Sequence, residues 1–158
     1  MSASPSDIEE ITSETTSDEL MSGINHKETI EAVISTMDQD QKVMFGENEG
    51  GSLWKFCYGS VEVFVQLTGE TDEDSLTVWS FILPLPAKNE VQLMRKLLEM
   101  NWTETFESRF CIVNNQVAVV ASRTLAEISP GEISRAITVV ATIADNNDDA
   151  LKAEFGAA

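Results

Sequence analysis

The run Leu76–Leu83 (LTVWSFIL) constrains this chain more than any other stretch. It is almost continuously apolar and rich in β-branched and aromatic residues, the pattern of a central strand covered on both faces. Pro84 and Pro86 follow, and neither can donate to a ladder, so the strand ends there. A helix is expected next, over about residues 87–100. It sets Val91, Met94 and Leu98 on one line and Leu93, Leu97 and Met100 beside it, with Asn101 as its stop. Phe110–Val113 and Gln116–Ala121 then return as a hairpin around Asn114-Asn115, two residues that tolerate positive φ.

The flanking segments read as elements that pack onto this unit. Asn25 is a helix N-cap with Glu28 three residues on, and Ile30, Val33, Ile34 and Met37 form one apolar stripe. Asp38–Lys42 ends that helix, Val43–Phe45 is a short extended piece, and Glu47–Ser52 reads as a loop. Leu53–Tyr58 and Val61–Thr68 form a hairpin around Gly59-Ser60. That turn sets Tyr58 against Val61, Phe56 against Val63 and Trp54 against Val65, a core face continued by Leu67. The other face carries Leu53, Lys55, Cys57, Glu62, Phe64 and Gln66. If Leu67 meets Leu76, then Leu76, Val78 and Ile82 join the core, and Trp79, Phe81 and Leu83 join Phe64 opposite. Ser129-Pro130-Gly131-Glu132 starts a third helix with a capping box and proline at its first position. It carries Ile133, Ile137, Val140, Ala144, Leu151 and Phe155, with a break expected in Asp145–Asp149. The order α-β-β-β-α-β-β-α predicts an α+β fold with a mainly antiparallel, five-stranded sheet.

The 158 residues suffice for one domain, expected over residues 25–158. Residues 1–24 hold six acids, no base and only scattered Ile8, Ile11 and Leu20. They cannot bury enough to offset ordering entropy, so a disordered acidic tail, dispensable for folding, is expected. Ten basic residues against 27 acidic ones give a formal charge of −17. No basic footprint for nucleic acid or for an anionic membrane surface is visible. There is no secretory signal pattern and no apolar run near the roughly 20 residues of a membrane span. A cytoplasmic protein with two free thiols, Cys57 and Cys111, is expected.

No residue pattern points to catalysis, a cofactor or a metal. His26 is the only histidine and stands at a helix start with no orienting partner in view. Cys57 and Cys111 lie in strands without a basic setting, which reads as buried, inert thiols. Asp72-Glu73-Asp74 and Asp145, Asp148 and Asp149 lack the ligand spacing of a calcium loop. No phosphate-binding, nucleophile-elbow or zinc-protease motif is present. The candidate site is instead the aromatic set Phe64, Trp79 and Phe81, read either as a second small core or as a partner or dimer face.

The second half resembles the YbjN family of bacterial proteins. The likeness is carried by Leu76–Leu83, by Leu97-Leu98-Glu99-Met100-Asn101, by Phe110 with its Asn-rich hairpin, and by Ser129-Pro130-Gly131-Glu132-Ile133. That resemblance implies the fold of type III secretion chaperones of the Tir-chaperone kind, which are small, acidic, usually dimeric proteins that hold extended client segments. It supplies no functional residue to carry over. The expectation is a non-enzymatic protein- or peptide-binding module, a chaperone-like adaptor or regulator that forms a homodimer. The alternative is a small-molecule- or metal-sensing regulatory domain.

Overall fold

Asn25 caps the first helix, its side chain accepting the Glu28 N–H at 3.2 Å. From that residue the computed structural model describes residues 25–157, so the expected acidic tail, residues 1–24, lies outside them. The elements are α1 (His26–Met37), β1 (Met44–Asn48), β2 (Gly51–Tyr58), β3 (Val61–Leu67), β4 (Ser75–Pro84), α2 (Glu90–Thr103), β5 (Arg109–Val113), β6 (Gln116–Thr124) and α3 (Pro130–Phe155). All pairings are antiparallel, in the order β1-β2-β3-β4-β6-β5.

Among the described residues the sheet therefore has six strands, not five. The extra strand is β1, which includes part of the stretch expected as a loop. All five of its residues are exposed, so no burial alternation marked it, and backbone pairing to β2 defines it instead. The β2–β3 register is the expected one, with Trp54 opposite Val65, Phe56 opposite Val63 and Tyr58 opposite Val61. Leu67 does meet Leu76.

One buried cluster joins alternate residues of the sheet to all three helices. It includes Ile30 and Ile34 of α1, Leu93, Leu97 and Met100 of α2, and Ile133, Ile137, Val140, Leu151 and Phe155 of α3. From the sheet it takes Trp54, Phe56, Val63, Val65, Val78 and Ile82. The helices thus cover one face, and Phe64, Trp79 and Phe81 stand on the other.

Four expectations are corrected here. Leu83 is in the core, because a register shift between Phe81 and Leu83 lets both Ile82 and Leu83 turn inward. Of the two apolar lines on α2, only Leu93, Leu97 and Met100 is buried, while Val91 and Leu98 are 86% and 70% exposed. Asn101 does not stop α2. Within the last turn its amide clamps β5, accepting the Phe110 N–H at 2.7 Å and donating to the Phe110 carbonyl at 3.3 Å. Finally, α3 runs unbroken through Asp145–Asp149. The β2–β3 turn docks there: the Ser60 N–H and hydroxyl both donate to Asp145, and the hydroxyl lies 2.9 Å from both oxygens of the fully buried Asp148 carboxylate. Acids that would repel one another in an isolated helix are held by a turn that supplies donors.

Candidate protein-interaction surfaces

The sheet face that no described helix covers is built by register. Met44, Lys55, Phe64, Trp79, Val120 and Arg109 form one row, a residue from each strand. Phe64 and Trp79, direct cross-strand partners, stack with centroids 5.3 Å apart and planes 9° off parallel. Phe81 meets Phe64 edge-on at 5.8 Å. Such pairs add to what area burial alone supplies and hold the rings in fixed orientations. All three rings are half-buried, and Lys55, half-buried beside them, is paired with Glu62 at 3.8 Å. The structure thus brings the three sequence-predicted residues together as one cluster, outside the main core.

Both cysteines border this face. Cys57 sits on β2, and Cys111 pairs with Ala118, which pairs in turn with Phe81. They are half-buried rather than buried. Burial pushes the Cys111 thiol above its ordinary pKa, with the Arg109 charge opposing. His26 is the first residue of α1 and half-buried. Among the described residues no cluster of three or more His, Cys, Asp or Glu is placed to hold a metal ion. In the β3–β4 turn Asp74 accepts the Thr71 N–H at 3.0 Å and the hydroxyls of Thr71 and Thr68 at 2.8 and 3.0 Å. Those bonds, the Thr71 N–H first, hold its carboxyl below the usual aspartate range. The acidic turn is therefore internally bonded rather than only solvated.

A second apolar surface was not singled out from the sequence. Val91, Leu98 and Trp102 of α2, with Phe106 just beyond it, are 86%, 70%, 90% and 75% exposed. The signal was available: two apolar stripes on one helix are more than a single core contact needs. A third feature is a cavity of about 270 Å³ at one end of the sheet, lined by residues including Arg123, Glu132, Arg135 and Glu107. Its guanidinium groups are already engaged, Arg123 with Glu132 and Arg135 with Glu107.

A one-sided helical layer on an antiparallel sheet, with apolar residues gathered on two outward surfaces, defines a scaffold that presents faces. Within that class the chain belongs to the YbjN family: the family model, described as "Putative bacterial sensory transduction regulator", matches residues 26–153. Among solved structures it is similar to a chain of "Crystal Structure of the ExsC-ExsE Complex", at 15% identity and a TM-score of 0.54. That match covers 82% of this chain and 96% of that one. At this identity the likeness bears on fold alone, and it agrees with the α+β, antiparallel-sheet architecture expected from the sequence. No match was found among curated proteins. No helix among the described residues is long and apolar enough to cross a membrane.

Proposed function

We propose that this protein is a non-enzymatic protein-binding adaptor or regulator, acting in the cytoplasm as a homodimer joined through the uncovered sheet face. The observation that carries the reading is the ring cluster of Phe64, Trp79 and Phe81 on a face that no described helix covers. Rings held by one another and half-open to water favour an apolar partner surface. The similar fold in a two-protein complex, named for ExsC and ExsE, supports a binding role in kind. Closed twofold symmetry is the commonest way a protein covers such a face with itself. The α2 stripe of Val91, Leu98 and Trp102 then stays free for a client.

The test is capture of bound polypeptide from native lysate, followed by reconstitution from purified components. A defined complex of fixed stoichiometry, lost on Trp102→Ser or Leu98→Ser but formed by the parent chain, is the expected result. A chain that forms no complex with any purified candidate sinks the reading. A second reading, a small-molecule-sensing domain, draws on the cavity beside Arg123 and Arg135. It requires an anionic ligand that raises the melting temperature and does so less in Arg135→Gln.

A further inference from the structure

The cavity between α1 and the β1–β2 hairpin has a composition that neither core nor surface explains. It measures about 320 Å³, and its walls include Glu31, Ile34, Asp38, Val43, Phe45 and Trp54. Asp38 is 7% exposed and Trp54 1%. Among the buried side-chain polar atoms, Asp38 Oδ2 and Trp54 Nε1 are the two left without a hydrogen-bond partner in the described residues. The other Asp38 oxygen accepts only the Asp40 N–H, at a long 3.3 Å. A buried carboxylate oxygen with no donor is costly, and the cost is removed when a ligand supplies one.

The chemistry of that ligand follows from the walls. Two carboxylates, Glu31 and Asp38, line the cavity, and no ion pair within the described residues engages either. The nearest lysine on α1, Lys27, is already held by Glu47 at 2.8 Å. Phe45 leans on Trp54 with ring centroids 5.2 Å apart, yet it is 54% exposed, so an aromatic ring is free to take a flat cation. A planar group with several N–H donors, carried on an apolar stem, suits carboxylates beside an aromatic wall: a guanidinium. An ammonium meets the charge but not the stacking.

The route in is the sheet edge. Among the described residues β1 pairs with β2 alone and all five of its residues are exposed, which leaves its outer backbone open to strand addition. Residues 1–24 contain six acids and no arginine or lysine, so they have no guanidinium to offer. We propose that this cavity receives an arginine side chain from an extended segment of another protein lying along β1, with Asp38 and Glu31 accepting from the guanidinium and Phe45 beneath it. The proposal rests on the reading of the chain as a protein-binding module and names what its partner must present.

The probe is a blocked pentapeptide, Ac-Thr-Val-Arg-Val-Thr-NH2, beside versions with citrulline or lysine at the centre. Binding to the full chain is followed by calorimetry and by the indole N–H resonances of Trp54, Trp79 and Trp102, assigned through single Trp→Phe variants. The arginine peptide is expected to bind, to weaken as salt rises, and to shift the Trp54 resonance while leaving Trp102 in place. Citrulline, neutral and of the same shape, is expected to bind about tenfold less tightly or worse, and lysine to fall between. Asp38→Asn and the exposed Glu31→Gln are each expected to erase most of the preference for arginine over citrulline. Glu31→Gln guards against a folding defect at the helix end. Equal binding of arginine and citrulline, an unchanged preference in both variants, or no binding at millimolar peptide overturns the proposal. Binding that moves Trp102 or Trp79 instead also overturns it, while leaving the binding-module reading intact. Failure of the chain to form a complex with any purified polypeptide removes both.

Discussion

Gly59 shows how much one position can carry. It takes a positive φ of 55°, and a Cβ there would run into the Asp145 carboxylate. The turn needs a left-handed residue and α3 needs the space, so two independent demands fall on one glycine. Gly59→Ala is expected to destabilise the fold by about 1–3 kcal/mol, read as a lower urea midpoint. A midpoint unchanged within error would show that the turn and α3 can separate freely. Cys111 gives a second test at this scale. With its thiol pushed up by burial, little thiolate exists near neutral pH, so native alkylation should be slow and should speed up as pH rises through the raised value. Because Cys111 borders the aromatic face through Ala118 and Phe81, the proposed dimer also predicts slower labelling at higher protein concentration. Fast labelling at neutral pH, comparable to a free thiol, counts against both points.

Turns decided which elements could be read in advance. The β3–β4 turn is held by Asp74, whose carboxyl sits below the usual aspartate range because the Thr71 N–H and the Thr71 and Thr68 hydroxyls bond its charged form. A lowered pKa contributes stability that is present above the unfolded value and is lost as pH falls through the folded one. Asp74→Ala should therefore lower the melting temperature at neutral pH, and the two melting curves should converge in acid. A gap that stays constant with pH would rule out the carboxylate as its source. The α2 stripe makes a contrasting prediction. Trp102 is 90% exposed, so Trp102→Ser should change stability by less than about 0.5 kcal/mol while weakening client binding. A large loss of stability would place Trp102 in packing. The same contrast explains what was legible in the sequence. The Gly59-Ser60 and Asn114-Asn115 turns specify their registers, because Gly59, Asn114 and Asn115 all take positive φ. Ser129 and Glu132 form the full reciprocal capping box their spacing announced. β1 was not legible, since a strand exposed along its whole length has no burial pattern to show. Leu83 was not, since a bulge breaks the period-two rule that assigned it outward. The cavity beside Trp54 was beyond sequence, because Asp38 and Trp54 meet only when α1 lies against the β1–β2 hairpin.

For the whole molecule the question is whether two chains of net charge −17 associate. Like charges oppose contact, but salt screens exposed charges beyond roughly 8–10 Å near physiological ionic strength. Burial of apolar area acts only at contact and persists in salt. The row across the uncovered face also places Lys55 and Arg109 near its two ends, with Phe64, Trp79 and Val120 between them. The net repulsion is thus not concentrated where the rings would meet. A homodimer through this face should tighten as salt is raised from low values, the reverse of the arginine-dependent client contact at β1. Trp79→Asp puts a charge amid the rings and should weaken the dimer by at least about tenfold. It should leave the monomer folded, because Trp79 lies outside the main buried cluster. Sedimentation velocity across protein and salt concentration, paired with circular dichroism of the variant, measures both. A monomer at micromolar concentration in moderate salt ends the dimer proposal. Outright unfolding of Trp79→Asp ends it too, because the rings would then be a second core rather than an interface.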